Sequence, residues 1–363
     1  MAKTATQDRK SSHLSICSKK DVAFREKRTG FDDIDFVHCA LPELDLGKID
    51  ISSSLFGKKL SAPFVIEPIT GGSAEAGKIN RSLAEAAQEA GVAMGLGSQR
   101  AMLENPSLVN TYKVRDVAPD IFLFGNMGVA QLLEYDPRRI QEALEQVGAD
   151  ALFLHMNALQ EAIQPEGNRN FEKCISSIEK LTSQLKLPVV AKETGAGVSR
   201  EVAISLKNAG VKGIDVGGAG GTSWGAVELL RNPAAHGSFW EWGIPTTLSI
   251  VEVASSCNLP VIASGGIRSG VDAAKALALG ADYAGAALPF LKSAEKGSKA
   301  VAEELADWEQ QLKTCMFLAG SKNLASLVNS PLIITGKTAE LFKLRGVSTE
   351  GFANRREHSR AIL

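Results

Sequence analysis

The sequence predicts a closed barrel of eight parallel strands ringed by helices, the α/β fold of a (β/α)8 TIM barrel, preceded by an N-terminal extension. Three observations carry this reading. Eight short apolar segments recur between residues 63 and 286, most of them followed by a stretch with helical spacing. The segments are apolar on both faces, as strands covered by helices on either side must be. Small or polar residues cluster at their C-terminal ends, which a barrel gathers at one mouth. An open, doubly wound sheet is the alternative, but no Gly-x-Gly-x-x-Gly turn follows the first strand.

The elements run in order. Residues 1–61 form an N-terminal arm and small ribbon, 62–345 the barrel and 346–363 a C-terminal tail. The arm is polar and basic, with Arg9, Lys10, His13, Lys19, Lys20, Arg25, Lys27 and Arg28, and by itself reads as a solvated segment with a helix. Short extended pieces broken by turn residues over 31–61 predict an antiparallel ribbon. Strands are expected at 63–67, 92–95, 121–125, 151–155, 188–192, 213–217, 260–264 and 282–286. Helices are expected at 78–90, 137–147, 171–185, 199–209 and 271–279, with long helices continuing to about residue 319.

Composition narrows the function. A chain of 363 residues, 44% apolar and 22% charged, can bury one large core. A formal net charge of -1 argues against a broad nucleic-acid surface. No apolar run reaches the ~18 residues of a membrane span, and residues 1–10 have no apolar signal core. Five scattered cysteines without metal-ligand spacing read as reduced thiols, and hence as a cytoplasmic protein.

The most informative stretch is 150–171. A buried strand turns abruptly polar, and alternation sends His155 and Asn157 the same way at its end. Gln160 and Glu161 follow on a predicted loop, with Pro165 and Gly167 opposing a helix. A histidine, two amides and a carboxylate at a strand-to-loop junction point to a site. Gly265-Gly266-Ile267-Arg268 after the seventh strand, with Ala286 and Ala287 after the eighth, match the phosphate site of many barrels. Lys192 ends the fifth strand, where a buried ammonium needs a partner; it suits a Schiff base or a cation beside an electron-rich cofactor. Asn126, Ser98 and Thr222 offer neutral hydrogen bonds to a planar ring. Trp224 either packs in the core or stacks on a ligand and stabilises positive charge. Glu161 is placed to hold Mg2+ with diphosphate oxygens and waters. Gln160 does not titrate, so it positions or relays protons, and a cofactor carrying reactive protons would complete the set.

Taken together, the motifs resemble those of the type 2, flavin-dependent isopentenyl-diphosphate delta-isomerases, from Arg9-Lys10 to about Gly336. They include Arg9-Lys10-x-x-His13, Thr70-Gly71-Gly72, Gly97-Ser98-Gln99-Arg100, His155-x-Asn157-x-x-Gln160-Glu161, Lys192-Glu193-x-Gly195 and Gly217-Gly218-x-Gly220-Gly221-Thr222-Ser223-Trp224. The resemblance implies interconversion of isopentenyl and dimethylallyl diphosphate by a 1,3 proton shift at reduced FMN, with NADPH as reductant and Mg2+ required. It implies FMN binding by Pro68, Ile69, Thr70, Ser98, Asn126, Lys192, Gly217, Thr222, Gly266, Ile267, Arg268, Ala286 and Ala287. It implies substrate binding by Arg9, Lys10, His13, Ser98, Gln99, Arg100 and Gln160, metal binding by Glu161, and catalysis by Gln160, His155, Asn157 and Trp224. It also implies a homo-oligomer, tetramer or octamer, whose N-terminal arm reaches a neighbouring subunit. The chain departs from the family pattern at Ile69, where methionine is usual, and at Asn168, where aspartate is usual. An FMN-dependent 2-hydroxy acid oxidoreductase is the competing enzyme, and a flavin- or prenyl-diphosphate-binding sensor the non-enzymatic alternative.

Overall fold

The computed structural model describes residues 5–232 and 237–355, the side chains of 5–11 excepted. Helix α1 (Ala5–Lys19) is followed by β1 (Ile34–Phe36) and a hairpin of β2 (Ser53–Leu55) and β3 (Lys58–Leu60). The barrel strands are β4 (Phe64–Ile66), β5 (Ala93–Gly95), β6 (Leu123–Gly128), β7 (Ala151–Met156), β8 (Val189–Glu193), β9 (Gly213–Asp215), β10 (Val261–Ala263) and β11 (Tyr283–Ala286). Each pairs in parallel with its sequence neighbours, and β11 pairs with β4, so the sheet closes into the predicted barrel. Last comes β12 (Leu332–Ile334), which pairs antiparallel with β1 outside the barrel.

Between and after the strands lie α2 (Ala74–Ala90), α3 (Arg100–Glu104), α4 (Pro137–Val147), α5 (Ala158–Ile163), α6 (Cys174–Gln184), α7 (Arg200–Asn208), α8 (Trp224–Arg231), α9 (Thr246–Ser256) and α10 (Gly270–Ala278). They continue through α11 (Leu288–Ala294), α12 (Ser298–Leu318), α13 (Leu324–Leu327), α14 (Gly336–Leu344) and α15 (Thr349–Ala353). Their starts follow the side-chain chemistry of the sequence. Ser73, Asp136, Ser199 and Ser269 each accept a backbone N–H of the first turn of α2, α4, α7 and α10.

One expectation fails locally. Gln160 and Glu161 do not lie on a loop; they lie on α5, which begins directly after β7. Ala158 to Ile163 are mostly good helix formers, and six residues suffice for a turn and a half. Pro165 acts later than expected: it forces Gln164 into an extended conformation and so ends the helix. The consequence is rigidity, because Asn157, Gln160 and Glu161 now share one helical face.

The lower half of the barrel is filled with aromatic side chains. Phe124 stacks on Phe153 at 3.8 Å between ring centroids, and Phe122 meets Phe124 edge-on at 4.9 Å. Leu55 and Leu60 of the hairpin pack beneath this layer with Val65, Ala93 and Val190, so the ribbon seals the barrel floor. The Tyr283 hydroxyl donates to the Ser54 carbonyl at 2.6 Å and pins the hairpin there. Asp150 ties the same end together, accepting from Leu123 N at 2.8 Å and from Arg115 Nη2 at 2.7 Å. Outside, Trp308 of α12 packs against Phe64 and Phe290, covering β4 and α11.

At the other end, the segment after α1 is stitched across the mouth. Ser223 N donates to Val22 O at 2.8 Å, and Phe24 N to Gly221 O at 3.1 Å. The Glu241 carboxylate accepts the backbone N–H groups of Arg25, Glu26 and Lys27, and the Arg25 guanidinium lies 3.8 Å from the centre of the Trp240 ring. This strap holds α1 against α8 and α11. Because Phe124 is wholly buried within the stack, Phe124→Ala is expected to cost about 3–5 kcal/mol. Guanidinium unfolding followed by circular dichroism reads this as a lower midpoint; an unchanged midpoint would show that the stack does not support the barrel.

Candidate active site

The strand register dictates where the polar groups meet. Lys192 of β8 is the lateral neighbour of His155 on β7 and of Asp215 on β9. Above the aromatic layer these ends enclose a cavity of about 280 Å³. Pro68, Ile69, Thr70, Ser98, Arg100, Asn126, His155, Asn157, Gln160, Glu161 and Lys192 line it, and so do Gly217, Thr222, Trp224, Gly266, Arg268, Ala286 and Ala287. His13 reaches it from α1. Eight separate strand ends and the arm thus converge on one space.

Two of the expected side chains lie outside the cavity lining. Gln99 is fully buried behind the wall: its Oε1 accepts from Asn126 N at 3.1 Å and its Nε2 faces Ala143 O at 3.5 Å. It braces β6 and does not reach the cavity. Ile267 packs its side chain into the core, so the phosphate turn presents Gly266 and Arg268 instead. Arg9 and Lys10 have side chains outside the described residues.

On one wall the amides and carboxylates form a chain. Gln160 Nε2 donates to Glu228 Oε1 at 3.1 Å, while Gln160 Oε1 accepts from Asn157 Nδ2 at 3.2 Å. His13 Nε2 stands 2.8 Å from the same Glu228 oxygen, and Arg231 Nε donates to its other oxygen at 2.8 Å. Burial pushes the Glu228 carboxyl up, but His13, Gln160 and Arg231 outweigh it and hold the group below the ordinary range. Glu228 was missed in the sequence. The available signal was a carboxylate four residues after Trp224 on the buried side of an otherwise apolar helix. His155 Nδ1 meets Asn126 Oδ1 at 2.7 Å, which fixes the ring against β6. Trp224 packs edge-on to His13 at 5.3 Å and covers this wall.

Glu161 is buried, with Oε1 accepting from Asn157 Nδ2 at 3.1 Å. Its Oε2 accepts from Gln164 Nε2 at 2.8 Å and from Asn168 N at 2.6 Å. The contact from residue 168 is through the backbone, so the asparagine side chain leaves this bond untouched. A carboxylate offers about four lone-pair positions, and these three donors leave one for a cation. Among the described residues no group of three or more His, Cys, Asp and Glu could hold a metal. The lone pair left on the Glu161 carboxylate suits a hard ion completed by ligand oxygens and water, the habit of Mg2+.

The opposite wall is a buried ionic cluster. Lys192 Nζ lies 2.8 Å from Glu67 Oε2 and 2.8 Å from Asp215 Oδ2, and donates to Ser264 Oγ at 3.3 Å. Burial alone would lower the lysine, but the two acidic groups outweigh it and push its pKa up. An amine held as ammonium between two acids is a poor nucleophile, so this arrangement favours the cation over the Schiff base. Burial first, and then the Asp215 carboxylate, push Glu67 up to about 8 against the pull of Lys192.

The floor of the cavity beside β10 is backbone. Gly265 and Gly266 have φ of +97° and +78°, and a Cβ at either would collide, with the Gly218 carbonyl and the Thr29 side chain respectively. This leaves a side-chain-free turn at the start of α10, with Arg268 beside it, a form suited to a phosphate monoester. Lys192, Asn126 and Thr222 line the same cavity. The cavity thus fits a phosphorylated aromatic cofactor such as FMN.

A pH effect follows from Glu67. Its folded pKa of about 8 exceeds the ordinary carboxyl value, so its contribution to stability is fully present in acid and is lost as pH rises through about 8. Thermal melts of flavin-free protein are expected to shift downward as pH rises from about 5 to about 8.5, and Glu67→Gln to remove part of that fall. Identical pH profiles for the two proteins would refute the protonated state of Glu67.

The comparisons with known proteins agree with this geometry. The profile of the FMN-dependent dehydrogenase family matches residues 2–105 and 129–334. The isopentenyl-diphosphate delta-isomerase of Methanothermobacter thermautotrophicus is 49% identical over 351 residues, covering 96% of this chain and 99% of that protein. Those of Methanosarcina mazei and Archaeoglobus fulgidus are 45% and 46% identical, covering 95% and 94% of this chain and 96% and 100% of those proteins. Among solved structures, a Pediococcus acidilactici lactate oxidase superposes with a TM-score of 0.64 at 19% identity, covering 85% of each chain. A mandelate oxidase with a monooxide FMN adduct gives 0.62 at 19% identity, covering 89% of this chain and 92% of that one. These last two share the fold; the archaeal relatives share the sequence as well. The chain belongs to the FMN-dependent dehydrogenase family and, within it, to the flavin-dependent isopentenyl-diphosphate delta-isomerases.

Proposed function

We propose that the protein interconverts isopentenyl and dimethylallyl diphosphate by a 1,3 proton shift, using reduced FMN and Mg2+, with NADPH as the source of reducing equivalents. The observation that carries this reading is the pairing, in one cavity, of a non-titrating amide held by a carboxylate with a glycine phosphate turn and a buried cation. Reduced FMN, when bound, supplies an electron-rich ring and the reactive protons that the side chains lack.

The chain's own residues divide the remaining work. Gly266, Arg268, Ala286 and Ala287 would seat the cofactor phosphate, and Pro68, Ile69, Thr70, Ser98, Asn126, Gly217 and Thr222 would flank the ring. Lys192 offsets negative charge on it. His13, Arg100, Ser98 and His155 would hold the substrate diphosphate, joined by Arg9 and Lys10 of the arm, since a diphosphate is best bound by several cations. Glu161 would anchor Mg2+ on the same group. Gln160 would face the alkene, its amide oriented at both ends by Glu228 and Asn157. It therefore directs a proton without ionising. Trp224 excludes water and places a π face near carbon that becomes positive. The protein is read as a cytoplasmic homo-oligomer, tetramer or octamer, in which Arg9 and Lys10 reach a neighbouring subunit. No helix of the described residues is long and apolar enough to cross a membrane.

Anaerobic incubation of FMN-reduced protein with isopentenyl diphosphate tests the reading. Formation of the isomer with no net flavin oxidation is expected. Flavin turnover with a 2-hydroxy acid in its place would assign the chain to the oxidoreductases whose fold it shares, and FMN binding without either reaction would favour a sensor. Gln160→Ala is expected to lower kcat roughly 100-fold or more while FMN absorbance is retained. Glu161→Ala is expected to abolish the response to added Mg2+ along with most activity. Wild-type rates in excess chelator would remove the metal from the scheme.

A further inference from the structure

We propose that Glu67 sets the charge of the cofactor pocket, taking up a proton in mildly alkaline solution when the bound flavin is reduced. This rests on the reading of the cavity as an FMN site. Three of the Lys192 ammonium's possible partners are in place: Glu67 Oε2 and Asp215 Oδ2 at 2.8 Å each, and Ser264 Oγ at 3.3 Å. Asp215 is further satisfied by the Ser264 hydroxyl at 2.5 Å and Gly217 N–H at 3.2 Å. Among the described residues the only donor to Glu67 is the lysine. As a carboxylate it leaves Oε1 fully buried with no donor, whereas as a carboxylic acid it can donate to Asp215.

The surroundings keep Glu67 in that position. On β11, Gly285 leaves the space that Glu67 occupies, because a Cβ there would collide with Oε1. The charged groups facing Glu67 are Lys192 on β8 and Asp215 on β9; β10 presents Ser264, and β5, Ala93–Gly95, has no titratable side chain. The cluster holds one cation and two acids. It is neutral with Glu67 protonated and carries one negative charge with Glu67 ionised.

Reduction by a hydride donor, such as a nicotinamide, breaks the donor's C–H bond and brings two electrons and one proton to the ring, leaving added negative charge in the pocket. A nearby negative charge disfavours a carboxylate. The ionised fraction of Glu67 therefore takes a proton from solvent and forms its O–H bond, and the pocket's charge is restored. Since burial and Asp215 place the group at about 8 before reduction, the coupling shows only in mildly alkaline solution.

Spectroelectrochemical titration of FMN-loaded protein from about pH 6 to about pH 10 reads this directly, because midpoint potential against pH counts protons per electron pair. For the wild type the slope is expected to steepen by one proton per two electrons above about pH 8. In Glu67→Gln the steepening is expected to vanish while the FMN spectrum persists. A constant slope in the wild type, with FMN bound, overturns this inference alone, and the result needs no variant. Failure of the protein to bind FMN overturns both the inference and the functional reading beneath it.

Discussion

Every feature of the site depends on closure of the parallel sheet. Strands as short as Phe64–Ile66 and Gly213–Asp215 cannot satisfy their backbone groups alone. Pairing β11 with β4 and β9 with β10 removes both edges at once. Closure also fixes polarity, since all eight C-terminal ends face the same way. Residues as distant in sequence as Pro68 and Ala287 become neighbours for this reason alone. The aromatic stack then sets the depth at which polar chemistry begins: Lys192 Nζ sits 5.8 Å from the Phe153 ring centre.

Much of this was legible in the sequence because it depends on period and punctuation. Eight apolar segments with glycine or polar residues after them identify the barrel and the mouth, and the predicted strands overlap the observed ones. Side-chain direction off the strands was less legible. Ser98 and Arg100 line the cavity while Gln99 between them braces β6, a distinction made by a turn into α3. Ile267 is hidden by the same kind of reversal. Glu228 escaped notice because it belongs to a helix interior and acquires meaning only through Gln160 and His13, which are 68 and 215 residues away. Its significance is tertiary. Glu67 closes an apolar strand and was not singled out in the sequence, because its significance, two acids sharing one lysine, exists only in three dimensions.

The two walls of the cavity use opposite electrostatic strategies. Glu228 is buried but supplied with donors, so it stays ionised and can orient an amide. Glu67 is buried beside another acid with Lys192 between them, and burial and Asp215 push its carboxyl up to about 8. The same residue type is thus held ionised on one side and pushed toward its protonated form on the other. Environment makes the assignment.

The hairpin that seals the barrel floor has a further result for traffic through the enzyme. With Leu55 and Leu60 packed beneath the barrel and the strap from Val22 to Lys27 lying across part of the top, among the described residues the open part of the mouth is where arrivals and departures meet. The two isomers are alike in size and charge, so a departing molecule and an incoming one compete for the same vestibule. Occupancy then responds to the summed pool of both.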